Sequence, residues 1–255
     1  VLALAHFLTL GVLASAMLLF GMNFNLHYFV LIGQGKAVLK NEELRWYIAI
    51  VLIAIALITA NIYGIYGEFF SSLRHSLFTV SSIMTTTGYT TVDFGSWPMF
   101  SKTILLSLMC IGACAGSTAG GLKISRVSIL AKSSIGEIKR MRQPKRIITV
   151  SHEHESMSGR DLGAIGSYFL IYMAIILILI LLMTLDLSDS SSVISSVLAT
   201  FNNIGPGLGQ VGPSGNFAGL SNWSKILLSF AMIAGRLEIF PILILFLPST
   251  WRKTI

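Results

Sequence analysis

The chain has 255 residues, of which 54% are hydrophobic and only 11% charged, with 18 Lys+Arg, 11 Asp+Glu and a net charge of +7. Average soluble domains carry about 25% charge, so an ordinary soluble enzyme is excluded, and so many large apolar residues exclude a disordered chain. A mean hydropathy of +0.77 leaves a polytopic membrane protein, with room for about five to seven spans at ~20 residues each.

The sequence opens at Val1 inside an apolar stretch, with no basic leader or small-residue cleavage pattern. No signal peptide is expected, and the simplest reading is a start in mid-protein. Apolar segments follow at about 3–32, 46–66, 97–122, 165–185 and 223–247. Each is long enough to cross ~30 Å of hydrocarbon as a helix. Residues 33–45 hold Lys36, Lys40 and Arg45, and the tail holds Arg252 and Lys253. Residues 123–146 hold Lys123, Arg126, Lys132, Lys139, Arg140, Arg142, Lys145 and Arg146 against the single acid Glu137. The positive-inside rule makes these three regions cytoplasmic and leaves 67–96 and 186–222 outside. The basic 123–146 run is expected to be a solvated loop near anionic lipid. Nucleic acid is not expected, because no aromatics interleave with the cations.

Cys110 and Cys114 lie in an apolar run without nearby His or carboxylate, which favours buried, inert thiols over a metal site. His152-Glu153-His154-Glu155 is open to two readings, a metal site or, the favoured one, a solvated loop patch.

The sequence repeats itself at a period of about 120 residues. Unit one is a span (46–66), an outside segment centred on Thr85-Thr86-Thr87-Gly88-Tyr89, then a span opening at Ser101-Lys102. Unit two is a span (165–185), a segment centred on Asn202-Asn203-Ile204-Gly205-Pro206, then a span opening at Ser224-Lys225. Phe69 to Ser82 and Ser190 to Phe201 are too short to span and read as re-entrant helices. A short helix ending in a glycine turn aims its partly negative end, and then backbone carbonyls, at a dehydrated cation. Either segment alone reads as a helix cap or a tight turn. The two at matching places favour a pore.

The motifs Thr85-Thr86-Thr87-Gly88-Tyr89-Thr90-Thr91, Gly112 to Lys123, Asn202 to Gly207 and Gly235-Arg236-Leu237-Glu238 resemble the TrkH/TrkG potassium-uptake proteins of the Trk/Ktr/HKT superfamily. Gly21-Met22-Asn23-Phe24 belongs to the same resemblance. It implies an all-α membrane protein of repeated span–re-entrant pore helix–span units, two of an expected four being present. Residues 1–35 would be the second span of the preceding repeat, and 44–125 the third repeat, with a glycine-rich gating loop at 112–121. Residues 126–160 would be a basic cytoplasmic connection and 161–250 the fourth repeat. The implied potassium filter is Thr86, Thr87, Gly88 and Tyr89 with Asn203, Ile204, Gly205 and Pro206. The implied gate is Gly112, Gly116, Gly120, Gly121 and Arg236. Pro206 departs from the aromatic of potassium channels and makes its quadrant less regular. The gating loop has two rivals: a small-residue packing face at Gly112/Gly116/Gly120, and a phosphate loop. The phosphate loop is rejected because Leu122 separates Gly121 from Lys123.

Arg236 and Glu238 fall in mid-span, where charge faces the interior or a cavity. Arg236 reads either as a satisfied helix residue or, with the resemblance, as a barrier near the loop. Lys102 and Lys225 are expected to snorkel at the outer interface. Potassium is the implied ligand, with no catalytic residues and no other cofactor. The implied partners are the missing N-terminal half of the pore, a cytosolic TrkA-like nucleotide-binding regulator, a second copy and membrane lipid, in a bacterial cytoplasmic membrane. The alternative activity is a symporter coupled to sodium or protons, with Glu238 as the coupling carboxylate.

Overall fold

The computed structural model describes residues 2–143, 149–153, 155–237, 239–245 and 251. His154, Lys145, Arg146, Glu238, Arg252 and Lys253 lie outside the described residues. The described chain is almost entirely helical, with one two-stranded hairpin, β1 (Ser151–His152) and β2 (Glu155–Ser156).

The first apolar segment is not one straight span. Helix α1 (Leu2–Phe20) and helix α2 (Phe24–Leu31) meet at 101° across Gly21-Met22-Asn23. Asn23 starts the new axis by accepting the Asn25 N–H on its side chain at 3.0 Å. Gly21 is needed at the bend, since a Cβ there would lie 2.5 Å from the Tyr47 hydroxyl and 2.8 Å from a Thr85 methyl. After a short α3 (Gly35–Lys40), Asn41 caps α4 (Glu42–Tyr66) by accepting from Leu44 N at 2.8 Å. Helix α4 ends at Gly67 in the left-handed region.

Helix α5 (Phe69–Met84) carries Ser72, Ser76, Thr79, Ser81 and Ser82 fully inside. These small side chains let neighbouring helices approach, and hydroxyls such as Ser72 and Ser76 donate to carbonyls of their own helix. Helix α6 (Met99–Cys110) stops after 12 residues, and the chain runs as a loop to α7 (Ile124–Arg142). The expected solvated loop at 123–146 is therefore mostly helix. Its periodic Ile124, Ser128 and Ile129 face inward, which gives the basic run a buried side that charge counting overlooks.

Helix α8 (Gly159–Met183), α9 (Ser190–Phe201), α10 (Asn222–Arg236) and α11 (Ile239–Leu245) complete the described chain. Pro241, lacking an N–H for the Leu237 carbonyl four residues back, stands in the first turn of α11. Of the five apolar segments, two are continuous helices of spanning length, α4 and α8, at 25 residues each. The other three are broken by Gly21, by the 111–123 loop and by the α10–α11 break.

The two short helices sit in equivalent settings. Helix α5 packs against α1, α4 and α6, and α9 packs against α6, α8 and α10. Their cores merge into one cluster containing Ile58, Ile62, Ile83, Met84, Leu105, Tyr172, Val197 and Phe201.

Candidate ion-conduction site

Both short helices end in the same turn. After α5, Thr85 N donates to Ser81 O (3.1 Å), Thr86 N to Ile83 O (3.1 Å), Thr87 N to Ser82 O (2.9 Å) and Gly88 N to Ser82 O (3.4 Å). After α9, Asn202 N donates to Leu198 O (3.1 Å), Asn203 N to Thr200 O (3.0 Å), Ile204 N to Ala199 O (2.7 Å) and Gly205 N to Ala199 O (3.3 Å). The backbone angles match as well. Thr86 and Asn203 have φ of 54° and 57°, and Gly88 and Gly205 have 80° and 111°. A trans peptide points its carbonyl opposite to its N–H. Because the N–H groups fold back onto the helix end, the carbonyls of 85–87 and of 202–204 point away from it. The helix end adds its own partial negative charge on that side.

The two turns approach each other. A Cβ on Gly88 would fall 2.0 Å from the carbonyl oxygen of Ile204 and 3.3 Å from the Pro206 ring. The Ser82 hydroxyl donates to Tyr89 O at 2.6 Å and fixes the exit of the first turn, while Tyr89 itself is exposed.

The loop over 111–123 is closed at its neck by Gly112 N to Leu122 O (2.9 Å), Leu122 N to Cys110 O (3.3 Å) and Ile124 N to Ala113 O (3.3 Å). It is not a helical packing face, so the small-residue rival does not hold at Gly112, Gly116 and Gly120. Gly116 and Gly121 have φ of 68° and 75°, where glycine is needed. The loop lies against both turns. Gly120 N donates to Thr86 Oγ1 at 3.1 Å, and a Cβ on Gly120 would be 2.4 Å from Asn202 O. The Arg236 guanidinium reaches across from α10 and donates to Thr118 O at 2.8 Å. The structure thus brings Gly88 against Ile204 and Pro206, and Gly120 against Thr86, Asn202 and Asn203, whereas Gly116 lies against Asn23 at the α1–α2 bend.

Several partners escaped the sequence reading. Tyr172 donates to Asn202 Oδ1 (2.8 Å) and contacts Cys110 O (3.2 Å), while Tyr47 donates to Leu18 O (3.1 Å) beside Gly21. Tyr172 thus braces the end of α9 from α8, whereas Tyr47 ties α4 to the end of α1. Glu43, only 2% exposed, accepts from Ala115 N at 2.6 Å and Ser125 N at 3.2 Å. Lys102 and Lys225 donate to Gly95 O (3.3 Å) and Ala218 O (2.8 Å), so each has a specific acceptor beyond snorkelling. Ser101 and Ser224 are likewise paired, with Asn61 Oδ1 and Asp186 Oδ2. Among the described residues no group of His, Cys, Asp or Glu is arranged to hold a metal ion, and both cysteines are free thiols.

Continuous apolar helices enclosing two short buried helices define an all-α, multi-pass membrane protein. A family model described as TrkH, cation transport protein, matches residues 6–253, and the chain belongs to that family. It is 35% identical over 245 residues to the Trk system potassium uptake protein TrkH of Salmonella typhimurium, covering 95% of this chain and 50% of that one. It is 34% identical to the Trk system potassium uptake protein TrkG of Escherichia coli, again over 95% of this chain and 50% of that one. The crystal structure of the potassium transporter TrkH from Vibrio parahaemolyticus matches with a TM-score of 0.85 at 33% identity, over 94% of this chain and 52% of that one. The chain spans about half the length of these relatives.

Proposed function

We propose that this chain supplies two quadrants of a potassium uptake pathway. The filter is Thr86, Thr87, Gly88 and Tyr89 with Asn203, Ile204, Gly205 and Pro206. The observation that carries the reading is the shared turn: two short helices end in matching hydrogen-bond sets and matching positive φ values at Thr86/Asn203 and Gly88/Gly205. Carbonyls aimed away from a helix end replace the water shed by a cation while offering only partial charge, so the ion binds and still leaves. Relatives named as potassium uptake proteins support potassium as that cation.

The 112–121 loop is the gate in this reading, and Arg236 holds it by its Thr118 carbonyl while placing a positive barrier in the path. Two quadrants do not surround an ion, so the remaining carbonyls would come from further segments of the kind that the longer relatives have room for. A cytosolic TrkA-like nucleotide-binding regulator, a second copy of the protein and anionic lipid at the basic end are the proposed partners. The symport alternative needs a coupling carboxylate, and its candidate Glu238 lies outside the described residues.

The test is Gly88→Ser in the full-length protein. A fall in the potassium-to-sodium flux ratio is expected. An unchanged ratio with normal membrane expression would remove Gly88 from the filter.

A further inference from the structure

Glu43 stands in the first turn of α4, where the sequence suggests nothing beyond a solvated acid. Instead its side chain is inside, and its carboxylate faces two backbone donors from different elements. Ala115 N belongs to the tip of the glycine-rich loop, and Ser125 N to the first turn of α7. Lys123, the residue before α7, makes no side-chain cap to that helix, so Glu43 caps it from another helix. A buried carboxylate is retained at high desolvation cost, which such charge-assisted bonds offset.

The neighbouring Glu42 pairs with Lys132 two turns further along α7, so consecutive acids of α4 grip α7 twice. Arg126 of α7 sits 4.0 Å over the Tyr168 ring of α8, completing the clamp. The loop neck is locked by its own backbone bonds, and the tip by Ser117 on Cys114 O together with outside contacts from Gly21, Phe24, Arg236 and Glu43. Among the described residues Glu43 is the outside group that also holds α7.

We propose that Glu43 is a positioning residue that tethers the glycine-rich loop in its blocking position and couples the loop to α7; this rests on the gating role proposed above. Any displacement of the basic helix then draws on Ser125 and Ala115 through one side chain. Glu43 thus adds to the holds of Arg236 and Thr86 on the loop a contact that α7 shares.

Potassium flux of the full-length protein tests this, with Arg236→Ala as the reference for the gate itself. Glu43→Ala loses two charge-assisted bonds, so flux should rise about fivefold or more with the potassium-to-sodium ratio unchanged. Glu43→Gln keeps an acceptor oxygen for the same N–H groups and should stay within about twofold of the parent, since a neutral acceptor weakens each bond only in part. Flux at the parent level in Glu43→Ala, while Arg236→Ala raises it, would overturn the tether and leave the gate standing. Glu43→Gln behaving like Glu43→Ala would also overturn it. If neither Arg236→Ala nor Glu43→Ala changes flux, the gate reading fails and the tether with it.

Should Glu43→Ala not reach the membrane, Glu43→Asp shortens the reach by one carbon and is combined with Thr118→Cys. Faster maleimide labelling than in Thr118→Cys alone is the expected result, and equal rates would overturn the tether.

Discussion

The Oγ1 atom of Thr86 accepts a hydrogen bond from the backbone N–H of Gly120 at 3.1 Å. A residue of the proposed filter and one of the proposed gate are thereby in direct contact. Thr86 is β-branched at φ 54°, an uncommon conformation for such a residue, so the contact sits on a strained backbone. Thr86→Val keeps the shape and leaves the Gly120 N–H without this acceptor, at a cost of about 1–3 kcal/mol. That loosens the loop, and potassium flux through the full-length protein should rise. Thr86→Ser restores the hydroxyl and should return flux to the parent level.

Arg236→Ala removes both the donor to Thr118 O and a positive charge. Flux should increase, with little change in stability, because Arg236 is exposed. Flux that stays level or falls would take Arg236 out of the gate.

The two filter glycines are not equally constrained. A Cβ on Gly88 meets Ile204 O at 2.0 Å, whereas one on Gly205 meets nothing within 4 Å. Both have positive φ, so both substitutions carry backbone strain. Gly88→Ala should therefore reduce the potassium-to-sodium ratio more than Gly205→Ala. Equal effects in paired flux assays would contradict the close approach of the two turns.

Gly235 of α10 lies against the end of α9, where a Cβ would sit 1.6 Å from Phe201 O. Backbone on both sides leaves little to yield. Gly235→Ala should cost about 2 kcal/mol or more, as over-packing does, and lower the melting temperature of the purified protein. An unchanged melting temperature would mean that α10 and α9 separate easily.

Asp186, just beyond α8, accepts from Ser224 Oγ at 2.5 Å and from Ser221 N at 3.1 Å. The Ser224 hydroxyl, then the Ser221 groups, hold its carboxyl below the usual carboxylate range. A depressed pKa gives stabilisation that is present above the unfolded value of about 3.9 and lost as pH falls through the folded value. Asp186→Asn should lower thermal stability at neutral pH. The gap to the parent should close as the pH is taken below about 4, and a gap independent of pH would show that the charge plays no part.

The sequence by itself determined the membrane character, the places of the two short helices and the doubled glycine turn. Composition fixes the solvent that the chain prefers. A 12- to 16-residue helix followed by Thr-Thr-Thr-Gly or Asn-Asn-Ile-Gly is local chemistry, written in order along the chain. Hydropathy misread continuity at Gly21, which breaks a helix without changing how apolar a window looks, whereas the glycine run at 112–121 announced the break in the third segment. Likewise, counting the cations at 123–146 concealed the inward-facing side of α7.

Only the tertiary structure decided which groups meet across long stretches of chain: Thr86 with Gly120, Arg236 with Thr118, Tyr172 with Asn202, and Glu43 with Ala115 and Ser125. Such pairs carry no periodic signature. One partner is often a backbone N–H or carbonyl, which every residue offers alike, so only its position in space sets it apart.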